Sequence, residues 1–372
     1  MKQTGFATAE ATGRYRRRFE NRISPAHFHE FQALWMSSIG IGTYLGNYDE
    51  ETDRLYHDAT VHAVESGCNV IDSAINYRCQ RSERSIGTAM NELANHGFGR
   101  EEILVATKGG FIPYDALPPK DVRAYFETNF VKPGIANFSD IVAGCHCMTP
   151  SYLLNQLDCS LENLNLQCLD IYYLHNPETQ LGKLSREEFN QRLLQAFEAL
   201  EGAVAAGKIR MYGAATWNGF RNEPSAKDYL SLAKIVDLAA SAGGKDHHFK
   251  VIQLPLNLGM TEALSLPNQE VGGKQLTPLQ AAQALGIAVM CSASVLQGQL
   301  ARNLPSIIND TFSGLETDAQ RALQFVRSTP GVTTALVGMK HTAHVEENLD
   351  VARIAPASWE QYSKLFETSA SS

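Results

Sequence analysis

Asp72, Lys108 and His175 each fall at, or one residue beyond, the end of one of three successive short apolar runs, and Tyr77 lies just after the first of them. A carboxylate, an ammonium, an imidazole and a phenol can pass protons if they meet, and a lysine among them can instead form a Schiff base with a carbonyl. Alone, none of them is remarkable, since an ionisable residue ending a strand is usually a hydrogen-bonded structural group. Their meaning depends on whether the fold gathers positions 72 to 175 into one place.

The elements that would gather them are legible as a repeated alternation. Eight aliphatic or β-branched runs read as buried strands: 39–43, 69–72, 103–107, 169–174, 209–215, 249–254, 287–291 and 334–337. Helical patterns lie between them. Thr149 and Pro150 open one that carries Leu153, Leu154, Leu157, Leu161 and Leu164 on one face. Ser185 and Glu188 form a capping box before Phe189, Leu193, Phe197, Leu200 and Val204, a run that stops at Gly207. A third covers 82–95. Eight strands with intervening helices predict a (β/α)8 TIM barrel, in which strand C-termini surround one mouth and the four residues converge there. The reading is one barrel domain over 31–356, an N-terminal arm over 1–30 and a C-terminal helix or tail over 357–372. Three long connections, 110–148, 258–277 and 296–314, follow strands and so fall over that mouth.

Composition narrows the function classes. The chain has 372 residues, 44% hydrophobic and 19% charged, with a formal net charge of -8. That balance offers no general electrostatic footprint for nucleic acid and points to small-molecule partners. Seven scattered cysteines suit reduced thiols and a cytoplasmic location. No run reaches the roughly 20 apolar residues of a membrane span, and no secretory leader is evident. Arg14, Arg16, Arg17 and Arg18 read as a solvated arm. The run Gly40, Gly42 and Gly46 with Asp72 has the wrong spacing for a dinucleotide fingerprint, and Gly272-Gly273-Lys274 lacks the flanks of a phosphate loop. Cys145-His146-Cys147 has no second ligand pair at zinc spacing, so no metal site is expected.

The segments around the four residues resemble the aldo-keto reductase family. Asp72-Ser-Ala-Ile-Asn-Tyr77 is similar to its Asp-x-Ala-x-x-Tyr element, and Ser82-Glu83 through Ile86-Gly87 to the continuation of that element. Ala-Thr-Lys108 resembles its lysine strand, Asp170-Ile-Tyr-Tyr-Leu-His175-Asn-Pro177 its histidine strand, and Glu347-Asn348 its closing pair. The likeness runs in order from about 39 to 353. It implies a nicotinamide-dependent oxidoreductase interconverting an aldehyde or ketone with an alcohol. Tyr77 would then be general acid or base, Lys108 the cation that eases its ionisation, Asp72 the partner of Lys108, and His175 the hydrogen-bond donor to the carbonyl oxygen. The tetrad serves either direction. The alternative is a cofactor-binding redox-sensing or regulatory protein with weak turnover.

The resemblance also implies a cofactor groove across the mouth. Gln253 falls where the family binds the nicotinamide carboxamide. Thr216 stands where relatives carry an Asn amide, and Ser292 where they carry a stacking tyrosine. Lys340 and His344, at the start of a helix, are the phosphate cradle. Glu347 and Asn348 fall at the adenine. Lys340 and the helix end favour NADP(H) over NAD(H).

Overall fold

The computed structural model describes residues 2–367. Eight parallel strands close into a barrel: β1 Ile39–Gly42, β2 Val70–Asp72, β3 Leu104–Gly109, β4 Leu169–His175, β5 Ile209–Ala215, β6 Phe249–Pro255, β7 Ala288–Ser292 and β8 Thr334–Gly338. Strand β8 returns to β1, with Leu336 opposite Gly40. The helices that cover it are α1 Glu50–Glu65, α2 Arg81–Asn95, α3 Pro150–Asn163, α4 Arg186–Ala205, α5 Leu232–Gly243, α6 Pro278–Ala284, α7 Asp318–Ser328 and α8 Thr342–Asp350. The architecture is the (β/α)8 barrel expected from the sequence.

Local chemistry sets the boundaries. Pro150 supplies the preset φ of a first helical turn, although the Thr149 side chain makes no cap bond. At α4 the capping box forms: Ser185 N donates to Glu188 Oε2 at 2.9 Å, and Glu188 N donates to Ser185 Oγ at 3.2 Å. Gly109 closes β3 where any Cβ would collide with the hydroxyl of Tyr172 from β4, so glycine leaves the room that this buried side chain occupies.

Period-two alternation explains how one barrel is both packed and reactive. Val70, Leu104, Ala106, Ile171, Tyr173, Met211, Val251, Ala288 and Met290 point inward and fill the interior. The intervening Ile71, Val105, Tyr172, Leu174, Tyr212 and Ile252 belong to the outer core under the helices. Continuing the inward parity to the strand ends gives Asp72, Lys108, His175, Gln253 and Ser292. The same face that is apolar in the lower layers is polar at the mouth.

The N-terminal segment departs from the reading as a solvated arm. A helix, Ala9–Arg17, buries Ala11 and Tyr15, with Phe19 following at the same spacing. Arg14 and Arg18 pair with Glu102, a carboxylate with no exposure, at 3.1 and 2.9 Å. Burial of that carboxylate requires the cations to dock rather than remain in solvent. A hairpin of Phe28–Phe31 and Leu34–Ser37 follows, and Leu34 and Met36 join the barrel interior as its floor. At the other terminus a helix spans Trp359–Glu367; the remainder of the expected C-terminal helix or tail, 368–372, lies outside the described residues.

Each long connection has structure of its own. Segment 110–148 carries a short helix, Val122–Phe126, and a satellite core in which Phe126 and Phe130 pack with Ile112, Ala136, Cys147 and Tyr152. Segment 258–277 contains a hairpin turned by Gly272 and Gly273, both with positive φ. Segment 296–314 contains the helix Ser306–Thr311. Among the described residues no helix is long and apolar enough to cross a membrane.

Candidate active site

Lys108 is the centre of the mouth. Its Nζ has no exposure and donates to Asp72 Oδ2 at 2.6 Å and to the Ser73 carbonyl at 2.7 Å. Burial pushes its pKa down, while the charge and hydrogen bond of Asp72 pull it up. The ammonium lies 5.0 Å from the centre of the Tyr77 ring and 5.9 Å from that of Tyr173. The Tyr77 ring is in turn 5.7 Å from the His175 ring, edge to face. The structure therefore brings Asp72, Tyr77, Lys108 and His175 together.

The electrostatics differ from the sequence expectation in one respect. Tyr77 has its pKa raised well above the ordinary value of 10, first by burial and then by Asp72 and Tyr44. Burial dominates there, even with the Lys108 ammonium 5.0 Å from the ring centre. The phenol is thus held in its protonated form, as a proton donor must be. His175 has its pKa lowered well below 6.5 by burial, Lys108 and His146, so its ring is neutral. Its Nδ1 is buried without a partner, which leaves Nε2 as the nitrogen open to the mouth.

Several supporting groups were not visible in the sequence. Gln253 Nε2 donates to Asp72 Oδ1 at 2.8 Å, so the amide expected at the nicotinamide also orients the carboxylate. His146 Nε2 bonds the His175 carbonyl at 2.7 Å, and its Nδ1 accepts from Gln180 at 2.8 Å. That contact ties the 110–148 loop to the back of the histidine strand. Phe111 sets its ring 4.9 Å from His175, and Tyr44, more than half exposed, sets its ring 5.0 Å from Tyr77. Of the six phenylalanine and tyrosine side chains in segment 110–148, Phe126 and Phe130 are core, Tyr114, Tyr125 and Phe138 lean on that core, and Phe111 packs against His175.

The turn after Tyr77 is strained. Arg78, Cys79 and Gln80 have φ of 48°, 54° and 68°, a left-handed run that costs about 1–2 kcal/mol per non-glycine residue. Ion pairing offsets it: Arg78 Nη2 meets Asp53 Oδ1 at 2.6 Å, and Arg81 Nη2 meets Asp53 Oδ2 at 2.6 Å.

The residues expected at a dinucleotide are spread over four strand ends. Thr216 follows β5 and has its Oγ1 buried without a partner; Asn348, on α8, has its Oδ1 in the same state. Orphaned polar atoms of this kind are rare in native interiors and fit a polar ligand. Ser292 ends β7 half-buried. Lys340 precedes α8 half-buried, His344 and Glu347 lie on that helix, and no side chain caps its N-terminus. A helix start left uncapped beside a lysine suits a phosphate. Behind Thr216, the buried Glu178 carboxylate accepts from the Trp217 and Asn218 amides at 2.8 and 3.2 Å and so fixes the loop after β5. These donors and acceptors fit a nicotinamide dinucleotide, with Thr216 and Gln253 at one end and Lys340, His344, Glu347 and Asn348 at the other. Among the described residues no group of three His, Cys, Asp or Glu is placed to hold a metal.

The chain is similar to several known proteins. Residues 38–242, just over half the chain, match the model of the aldo/keto reductase family. The protein tas of Escherichia coli is 26% identical, covering 86% of this chain and 90% of tas. The NADP(+) aldo-keto reductase yakc of Schizosaccharomyces pombe is 27% identical, over 49% of this chain and 41% of yakc. Among solved structures, an aldo/keto reductase from Klebsiella pneumoniae in complex with NADP and acetate superposes with a TM-score of 0.61 at 20% identity, covering 92% and 95% of the two chains. The glycerol dehydrogenase of Gluconobacter oxydans gives 0.63 at 17% identity, covering 93% and 96%.

Proposed function

Since the chain belongs to the aldo/keto reductase family, a family of NAD(P)H-dependent oxidoreductases, we propose that it interconverts a small-molecule aldehyde or ketone with its alcohol, using Tyr77 as acid and base and NADP(H) in preference to NAD(H). The observation that carries the reading is the buried ion pair of Lys108 and Asp72 beneath Tyr77 and His175.

A bound nicotinamide supplies or accepts the hydride. The protein's own residues manage the proton and the developing charge. A carbonyl oxygen placed between Tyr77 and His175 meets two donors: the phenol, whose raised pKa keeps it protonated, and the His175 Nε2 of a neutral ring. As negative charge grows on that oxygen, the Tyr77 proton passes to it. The resulting phenolate is stabilised by the Lys108 ammonium, which Asp72 keeps charged against burial. In alcohol oxidation the same phenolate takes the proton back. Tyr44, Phe111 and the half-exposed Trp217 border the entry and favour a substrate with a flat apolar or sugar-like face. Lys340 and the open start of α8 support the preference for the 2'-phosphate of NADP(H). Seven free thiols suit the reducing cytoplasm.

A second reading, a redox-sensing or regulatory protein with weak turnover, is favoured by Ser292, which offers no ring for stacking, and by the commitment of the Gln253 amide to Asp72. Following NADPH absorbance with a panel of aromatic aldehydes, ketones and aldoses separates the two. The oxidoreductase reading requires turnover with at least one; fluorescence quenching of bound NADPH without turnover on any of them would replace it with the second.

A further inference from the structure

The left-handed run after Tyr77 requires something to hold it, and the structure shows one side chain doing so from both sides. Arg78 is 1% exposed. Its Nε donates to the Asn47 carbonyl at 2.8 Å and its Nη2 to the Asp49 carbonyl at 3.3 Å, as well as to Asp53. Asn47 and Asp49 lie in the loop between β1 and α1, the loop that also presents Tyr44 to the Tyr77 ring. The guanidinium plane stands over Tyr56 of α1, whose hydroxyl reaches back to the Leu45 carbonyl in the same loop. One buried cation thus joins two backbone segments that frame the mouth.

An arginine is a costly choice if the turn needs only its shape. Glycine adopts positive φ without penalty and would make the same bend. Retaining a bulky side chain at φ 48°, with a charge taken out of solvent, indicates that the side chain contributes something the backbone alone does not.

We propose that Arg78 is a positioning residue for Tyr77: it clasps the 44–49 loop to the turn that carries the phenol and so fixes where the hydroxyl meets the substrate oxygen. The inference rests on the assignment of Tyr77 as proton donor and adds the device that aims it. Arg78 itself touches no reacting atom. Freed from the clasp, the Tyr44 loop and the Tyr77 turn move independently, and a displacement of about 1 Å at a reacting group can cost up to a hundredfold in rate.

Arg78→Gly is the informative variant. Glycine relieves the left-handed strain, and Asp53 keeps its bidentate contact with Arg81, so no buried carboxylate is orphaned. The clasp account expects a melting temperature close to wild type, NADPH affinity within about twofold, and kcat lower by about tenfold or more with a raised KM for the carbonyl. Millimolar guanidinium ion should restore part of kcat by occupying the vacated site. Unchanged kcat and KM would overturn the proposal, and so would parallel losses of melting temperature, NADPH affinity and kcat, which mark a residue serving the fold alone. Tyr77→Phe measured alongside separates the two assignments. If Tyr77→Phe is inactive while Arg78→Gly matches wild type, only the clasp fails; if Tyr77→Phe keeps full kcat, the role of Tyr77 fails and the clasp with it.

Discussion

Replacing Asp72 by Asn tests the ion pair at the centre of the mouth. The change is nearly isosteric and retains an acceptor for Gln253, but it leaves the Lys108 ammonium, with no exposure, facing a neutral amide and the Ser73 carbonyl. Removing one partner of a buried pair costs about 3–5 kcal/mol, because the remaining charge is uncompensated. Lysine can escape by losing its proton, which from an ordinary pKa near 10.4 costs about 4–5 kcal/mol at pH 7. The two routes are similar in size, so a loss of about 4 kcal/mol is expected near neutrality. The sign with pH follows from the depressed folded-state pKa of Lys108. Above about pH 10.4 lysine is neutral folded or unfolded and the variant loses little; as pH falls, the unfolded chain binds a proton that the folded variant resists, and the loss grows by about 1.4 kcal/mol per unit. Urea unfolding of wild type and variant at pH 7, 8.5 and 10 reads this directly. A difference below about 1 kcal/mol at pH 7, or one that does not shrink toward pH 10, would refute the buried-pair reasoning.

Three further expectations follow from single side chains. His27 and His146 have pKa values pushed down to about 3 and about 4 by burial, so between pH 7 and 5 the unfolded chain takes up protons that the folded one refuses, and stability should fall by about 2 kcal/mol for each; His146→Gln should make the fall measured by urea unfolding smaller by about 2 kcal/mol. Thr216→Val removes a buried hydroxyl without a partner, so the free protein should melt no lower than wild type while NADPH binding weakens by up to about tenfold; unchanged NADPH affinity by fluorescence titration would take Thr216 out of the groove. Lys340→Ala should lower NADPH affinity by about tenfold or more and leave NADH affinity alone, and equal losses for both cofactors would remove the basis for the NADP preference.

The barrel was legible because its signals are local. Every strand lies within two residues of its apolar run, and α4 begins at its capping box. Asp72, Lys108 and His175 were legible for the same reason, since a polar residue at a strand end is a one-dimensional feature that the barrel makes three-dimensional. What the sequence concealed is non-local or conformationally irregular. The Gln253 to Asp72 bond spans 181 positions. The N-terminal hairpin turns on Gln32 and Ala33 at positive φ, residues that carry none of the Asn-Gly signal of a tight turn. Arg14 and Arg18 read as a solvated arm because Glu102, the buried carboxylate they pair with, lies 88 and 84 positions away. Arg78, Cys79 and Gln80 read as the approach to α2, and nothing in their types announces a left-handed run. The raised pKa of Tyr77 was concealed too: it depends first on how completely the phenol is buried and then on its nearness to Asp72 and Tyr44, which are distances and not a pattern.

The central claim is that Tyr77 supplies the proton. Its most direct test is the single-turnover rate of NADPH oxidation by Tyr77→Phe, with the best carbonyl substrate, at saturating cofactor. The account predicts NADPH affinity equal to wild type and a chemical step slower by about a hundredfold to ten-thousandfold. A single-turnover rate equal to wild type would contradict it.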